Sequence, residues 1–326
     1  MTNKTVTRVR EFMPADREQW VSGANACYPD YPLSVEESRH QDETFDRAKY
    51  FLLRLVALDG DDIVGGVDMR HQPGRFHPAR YWFDLWVRPE HRRRGHGTGL
   101  YDATLRAAVE RRAIALNAGV KESMTDGVDF LRHRGWYEVK RDWESRLAVA
   151  GFDFAKFASA DERIAANGIT ITTYADALRR DPEGAEAMAY ELIGELRVDV
   201  PSVLPPTPET IEEWRRHWTG APAFLPEAFF IAVDRDGRWI GMSNLERSIE
   251  DPSFVWQGLT GVRREARGSG VAMALKLRTV RYAQSIAVDH IKTWNDQRNR
   301  PMLSINEAMG FVKQPAWIAM ELKLDS

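Results

Sequence analysis

The sequence has a single cysteine, Cys27, among its 326 residues. A lone thiol cannot build a disulfide framework, so the fold must be held by its apolar cores, and a reducing compartment fits. Cys27 itself reads as a small, half-buried hydrophobe. Apolar runs long enough to span a bilayer are missing, and Met1 to Arg10 is polar and β-like, without the apolar stretch of a signal peptide. The expectation is a soluble, cytoplasmic protein with no membrane partner. Nor does one sign of charge prevail: 45 basic residues meet 48 acidic ones, for a formal charge of -3. No global field draws nucleic acid, and any anion must be held by a local cluster. The eight histidines are scattered and no His-Glu-x-x-His occurs, so no metal is expected.

A repeat is present. Val87-Arg88-Pro89-Glu90-His91-Arg92 returns as Val262-Arg263-Arg264-Glu265-Ala266-Arg267, an offset of 175 residues. The same shift joins Gly95 to Gly270, Gly97 to Ala272, Leu100 to Leu275, Gly135-Trp136 to Gly310-Phe311, Val56-Ala57-Leu58-Asp59 to Ile231-Ala232-Val233-Asp234, and Gly66 to Gly241. A constant shift over so long a stretch means two copies of one domain, and the length and 43% hydrophobic content allow each its own core.

Each copy predicts the same elements. An apolar strand (51–58; 229–233) leads through an Asp- and Gly-rich turn into a second strand (63–69; 239–245), which is a hairpin signal. A third strand (81–87; 254–262) runs into an arginine and glycine loop and then a helix, whose first copy carries the stripe Leu100, Ala103, Thr104, Ala107 and Ala108. Another stripe, Ala185, Met188, Ala189, Leu192, Ile193 and Leu196, precedes the second hairpin. The fold class is α/β: two tandem domains, each a central mixed, mostly antiparallel sheet flanked by helices. Boundaries are set at 1–150 and 168–326, with 151–167 as linker. Phe12 matches Tyr174 at an offset of 162, so the second copy carries about 13 extra residues before its hairpin. Asp199 to Thr210, with four prolines, is read as that insertion and as a loop.

The shared loop is Arg92-Arg93-Arg94-Gly95-His96-Gly97, followed by Thr98, and Arg267-Gly268-Ser269-Gly270-Val271-Ala272. Backbone N–H groups at a helix start, together with the positive end of the helix dipole, favour an anion. Glycines permit positive φ and close approach, and arginine neutralises phosphate. A Walker loop needs Gly-Lys-Ser/Thr, which neither copy has. A dinucleotide fingerprint needs a third glycine where Leu100 and Met273 stand.

Strand, Arg-x-x-Gly-x-Gly/Ala, helix, and a later Gly-Trp or Gly-Phe together resemble the GNAT superfamily of acyl-CoA-dependent N-acyltransferases, in its tandem, mycothiol synthase-like form. In the second copy Asn299-x-x-Met302-x-x-x-Asn306-x-x-x-Gly310-Phe311 is similar to a further segment of that family. The resemblance implies acetyl-CoA as acyl donor, direct attack by a primary amine, and no metal. It implies that Val87 and Val262 line the pantetheine arm, that both loops hold the pyrophosphate, and that Asn299 faces the cofactor. At the family's proton-donating Tyr stand Asn306 and Leu131, so Asn306 takes the catalytic position without being an acid. For a base, strand alternation points to Glu246, with His71 (its counterpart at the 175 offset) and Asp84 as further candidates. Because Met124 replaces Asn299 in the first copy, the second is expected to be catalytic. The acceptor is expected to be a small-molecule amine in a monomeric or homodimeric enzyme. A non-catalytic acyl-CoA sensor or scaffold, and an acetyltransferase acting on a protein or peptide amine, stay open.

Overall fold

The computed structural model describes residues 8–324, so residues 1–7 of the expected β-like start lie outside it. In chain order the elements are β1 (Arg8–Glu11), α1 (Arg17–Cys27), α2 (Val35–Thr44), β2 (Leu52–Asp59), β3 (Asp62–Arg70), β4 (Arg80–Val87), α3 (His96–Glu110), β5 (Ala115–Lys121), α4 (Thr125–Arg132) and β6 (Tyr137–Ala148). Then follow α5 (Ser159–Ala166), β7 (Thr170–Thr173), α6 (Tyr174–Arg180), α7 (Pro182–Val198), α8 (Ile211–Trp214), β8 (Phe224–Val233), β9 (Trp239–Arg247), β10 (Phe254–Val262), α9 (Val271–Ser285), β11 (His290–Asp296), α10 (Arg300–Met309), β12 (Val312–Lys313) and β13 (Trp317–Lys323). The repeat holds at the level of single residues: α3 and α9, like β5 and β11, are displaced by 175. So are the positive-φ pairs Gly95 and Gly270, Arg93 and Gly268, Arg112 and Ala287, and Gly135 and Gly310. No helix among the described residues is long and apolar enough to cross a membrane.

Two compact units result, Met1–Arg141 with Ala316–Ser326, and Asp142–Pro315. In the first, the strand order is β1-β2-β3-β4-β5-β13, antiparallel except for the parallel pair β4–β5. In the second it is β7-β8-β9-β10-β11 and then β6 from Asp142 onward, with β10–β11 the parallel pair. This corrects the boundaries set from sequence. The last strand of the first sheet comes from the chain's end, and the last strand of the second sheet precedes the expected linker. Segment 151–167 is not a plain linker: Phe154–Phe157 forms a 3-10 turn and α5 packs on α9, burying Ala160 and Ile164 in the second unit's core. Each sheet is covered on both faces. In the first unit α3 and α4 lie on the core of Val67, Met69, Leu116 and Met320, and α1 lies on the core of Val56, Ile63 and Trp86. In the second, α9 covers one face, and α6, α7 and Trp214 cover the other around Phe229, Ile231 and Met242. Of the stripe read on α7, Met188 is the exception, facing water. Segment 199–210 is a loop, as its prolines require.

Candidate functional site

Both loops are built alike. Val262 ends β10, a 3-10 turn spans Arg264–Ala266, and Arg267 folds back so that its Nε donates to Val262 O at 3.0 Å. Gly268 and Gly270 then take φ of 79° and 90°, values costly for a residue with a Cβ. Gly270 caps α9, whose first helical bond runs from Ala274 N–H to Gly270 O. The N–H groups of Val271 and Ala272 therefore precede the helical ladder and point out of its positive end. In the first unit Arg92 Nε donates to Val87 O at 3.1 Å, Gly95 at φ 95° caps α3, and Gly97 and Thr98 occupy the same early turn. Arg93 reaches the positive φ that Gly268 takes in the other copy. Arg94 lies 3.8 Å from Asp59, and His96, at the first helical position, is buried.

The loops differ in one partner. Arg264 and Arg267 both donate to Asp199, at the start of the proline-rich segment, and together hold its carboxyl well below the usual carboxylate range. An anion at the second loop thus meets an arginine already engaged by a carboxylate.

Beside each loop the parallel strands part. The β10–β11 pairing covers only Phe254–Trp256 against His290–Lys292, and β4–β5 only Arg80–Phe83 against Ala115–Ala118. Beyond those points the strands splay, and backbone groups facing the opening lose their ladder partners.

Here the units diverge. On β10 the register to β9 jumps between Gln257, opposite Leu245, and Thr260, opposite Ser243. Gly258 and Leu259 thus both oppose Asn244, which is a β-bulge. A Cβ on Gly258 would meet the Asn244 amide at 2.5 Å, so only glycine fits under that side chain. Gln257 Nε2 donates to Asn244 O at 2.7 Å, supplying a donor to the carbonyl left unmatched by the bulge, and to Ser243 Oγ at 3.1 Å. Its Oε1 accepts from Lys276 Nζ at 3.3 Å and Thr279 Oγ1 at 3.2 Å. Lys276 is fully buried, and burial pulls its ammonium down to about 7. In the first unit Phe83 and Tyr101 stand at these places, and β3 and β4 pair without a break from Gly65–Val87 to Arg70–Trp82.

The bulge lies beside Glu246. Asn244 Nδ2 donates to Glu246 Oε1 at 3.2 Å, while the buried Asn244 Oδ1 has no partner. Burial raises the Glu246 carboxyl, with the Asn244 bond pulling the other way. Glu246 stands in one cross-sheet row with Phe224, Trp256 and Lys292, and Trp256 stacks on Trp294 at 4.5 Å.

The register replaces one pairing expected from sequence. Opposite Trp82, as Glu246 is opposite Trp256, stands Arg70 rather than His71. The second hairpin turn, Asp234–Arg238, is one residue longer than Asp59–Asp62, which shifts β9 by one residue relative to β3. His71 has both ring nitrogens against backbone, Nδ1 accepting from Phe51 N at 3.1 Å and Nε2 lying 3.2 Å from Pro78 O, and burial lowers its pKa. Asp84 faces Asp68 across the ladder, and burial with that neighbouring carboxylate raises its pKa.

Asn306 is buried, its Nδ2 donating to Asn295 Oδ1 at 2.7 Å and its Oδ1 without a partner. Asn299 is the N-cap of α10, accepting from Met302 N–H at 3.4 Å, so its difference from Met124 is a difference in helix capping. The histidines are not all scattered: His91 and His96 converge on Asp59 in the first unit. The bulge and Gln257 were missed by sequence reading. Their one signal was the glycine at 258 inside an otherwise β-prone strand.

The chain is similar to several known proteins. Residues 12–136 match the Acetyltransferase (GNAT) family. A mycothiol acetyltransferase of Pseudarthrobacter chlorophenolicus is 24% identical over 258 residues, which are 78% of this chain and 72% of that one. A tandem GNAT protein from the clavulanic acid biosynthesis pathway superposes with a TM-score of 0.76 at 19% identity, over 98% of this chain and 99% of that one. A GCN5-related N-acetyltransferase from Sphaerobacter thermophilus gives a TM-score of 0.69 at 20% identity, over 97% and 95%.

Proposed function

We propose that the chain is a tandem GNAT acetyltransferase whose second unit transfers an acetyl group from acetyl-coenzyme A to the primary amine of a small molecule. The observation that carries this reading is the bulge at Gly258–Leu259, set beside Glu246 and Asn244 and on the same strand that leads into the anion loop.

Arg267, Gly268, Ser269 and Gly270, with the N–H groups of Val271 and Ala272, hold the pyrophosphate at the helix start. The pantetheine arm lies in the splay along Val262. Backbone N–H groups at the bulge, released from the ladder, donate to the carbonyl oxygen as it takes on negative charge. Asn244 Oδ1 accepts from the incoming ammonium and orients it. Glu246, its carboxyl raised by burial, removes the amine proton so that the lone pair can attack the thioester carbon. The C–S bond then breaks, the nitrogen gives up its second proton to solvent as the amide forms, and solvent protonates the thiolate, because Asn306 cannot donate a proton at neutral pH. No covalent enzyme intermediate forms.

A small-molecule acceptor is supported by the row of Phe224, Trp256 and Lys292 beside Glu246, and by the names of the relatives, mycothiol acetyltransferases. In the first unit an unbroken β4 and a pair of facing aspartates replace the bulge and Asn244, which supports binding without turnover there. The test is thiol release from acetyl-CoA with a panel of small amines, using Glu246→Gln as comparison. Turnover lowered by roughly 10²–10⁴, with acetyl-CoA affinity unchanged, is expected. Equal turnover in the variant would remove Glu246 from the mechanism.

A further inference from the structure

We propose that Asp59, His91 and His96 of the first unit form a divalent transition-metal site of the zinc class, which fastens the β2–β3 turn to the start of α3. One ligand atom from each of the three lies within 4.8 Å of the others, and His91 Nδ1 is 3.4 Å from Asp59 Oδ2. Ligands bound at 2.0–2.1 Å to a tetrahedral ion stand roughly 3.3 Å apart, so that edge already has the spacing of a bound pair and the remaining closure is small. Two imidazoles and a carboxylate are a donor set for zinc or a neighbouring first-row ion, and three protein ligands leave one position for water.

A second observation is independent of the spacing. His91 Nδ1 is buried and has no hydrogen-bond partner, although the Asp59 carboxylate lies 3.4 Å away. The ring nitrogen and the carboxylate face each other without the alignment a shared proton needs. A cation between them satisfies both.

The duplication supplies an internal control. At the same places the second copy has Asp234, Ala266 and Val271. There the aspartate folds onto its own turn, accepting from the N–H groups of Asp236 and Arg238 at 2.9 Å each. An aspartate at this turn is thus explained by hairpin geometry, whereas two histidines aimed at it occur only in the first copy. Two features oppose a cation here, the Arg94 guanidinium 3.8 Å from Asp59 and the positive end of α3. Arg94 is more than half exposed and can turn into solvent.

The test uses the full chain, stripped with EDTA and titrated with Zn²⁺, with bound metal counted by elemental analysis and stability read as Tm. A single tight equivalent that raises Tm is expected, and Co²⁺ in its place should give visible d–d absorption. His91→Ala with His96→Val installs the second copy's own residues and should weaken binding by at least roughly 100-fold, the upper end of what even an outer-shell partner costs. Asp234→Asn should leave the metal count unchanged. If the double variant does not fold, the half-exposed Asp59→Asn carries the same expectation. Absence of bound metal in the parent protein overturns the site, as does a variant that keeps the parent's stoichiometry and affinity.

Discussion

Replacing Lys276 with methionine should stabilise the protein, by an amount that depends on pH in a defined direction. Lys276 is 1% exposed, with Gln257 Oε1 at 3.3 Å and the Phe311 ring at 4.8 Å. Burial lowers its pKa from 10.5 to about 7, because the ammonium loses hydration that these partners replace only in part. Between those values the unfolded chain binds more protons than the folded one, so stability rises as pH rises, and the full cost applies below pH 7. At 1.36 kcal/mol per pH unit, the cost is about 5 kcal/mol at pH 6 and about 3 kcal/mol at pH 8. Methionine fills the space without the charge, and Gln257 keeps Thr279 as a donor at 3.2 Å. Allowing about 1 kcal/mol for the lost hydrogen bond, the expected gain is about 3–4 kcal/mol at pH 6 and about 2 kcal/mol at pH 8. Urea unfolding of both proteins from pH 6 to 9 measures this. A variant less stable at pH 6, or one with the parent's pH dependence, would show that Lys276 is not a buried charge at neutral pH.

Gln257→Phe, which installs the first unit's residue, removes the donor to Asn244 O. It should cost about 1–3 kcal/mol of stability and lower kcat while leaving KM for acetyl-CoA near its original value. An unchanged kcat in folded protein would separate the bulge from catalysis. Gly270→Asp places a side chain at φ 90° and a negative charge at the helix start, so calorimetry should find acetyl-CoA binding lost at the second unit. Gly95→Asp should leave turnover largely intact while removing at most one cofactor equivalent. Matching losses of turnover in the two variants would make the first unit catalytic too.

The fold was largely legible because duplication repeats local signals. The 175-residue offset located α3 and α9, and Gly95, Gly268 and Gly270 of the two loops take the positive φ that their chemistry suggested. What could not be read was pairing. Each sheet needs a final strand, and the apolar pattern of a strand does not say which sheet it completes. The site was half legible. Glu246 follows from alternation on one strand, but the bulge is a register jump against a neighbour, visible in sequence only as Gly258. His71 was matched to Glu246 by counting through a turn that differs by one residue between the copies, and a slip of one turns every side chain to the other face. Asn299 and Met124 looked like a difference at the cofactor, and the cap at the start of α10 shows why spacing alone could not decide.

The origin of β13 bears on how the chain is made. Pairing of Lys121 with Trp317 and of Ala115 with Lys323 closes the first unit's sheet. During synthesis at 5–20 residues per second, the edge of β5 waits about 10–40 s for its partner to emerge. An open, apolar strand edge is a template for pairing with another chain. A nascent first unit is therefore exposed to misassembly for most of the time the ribosome takes to make the second. A stop codon at position 316 would leave every residue of the second unit in place, yet the part it damages is the half that was translated first.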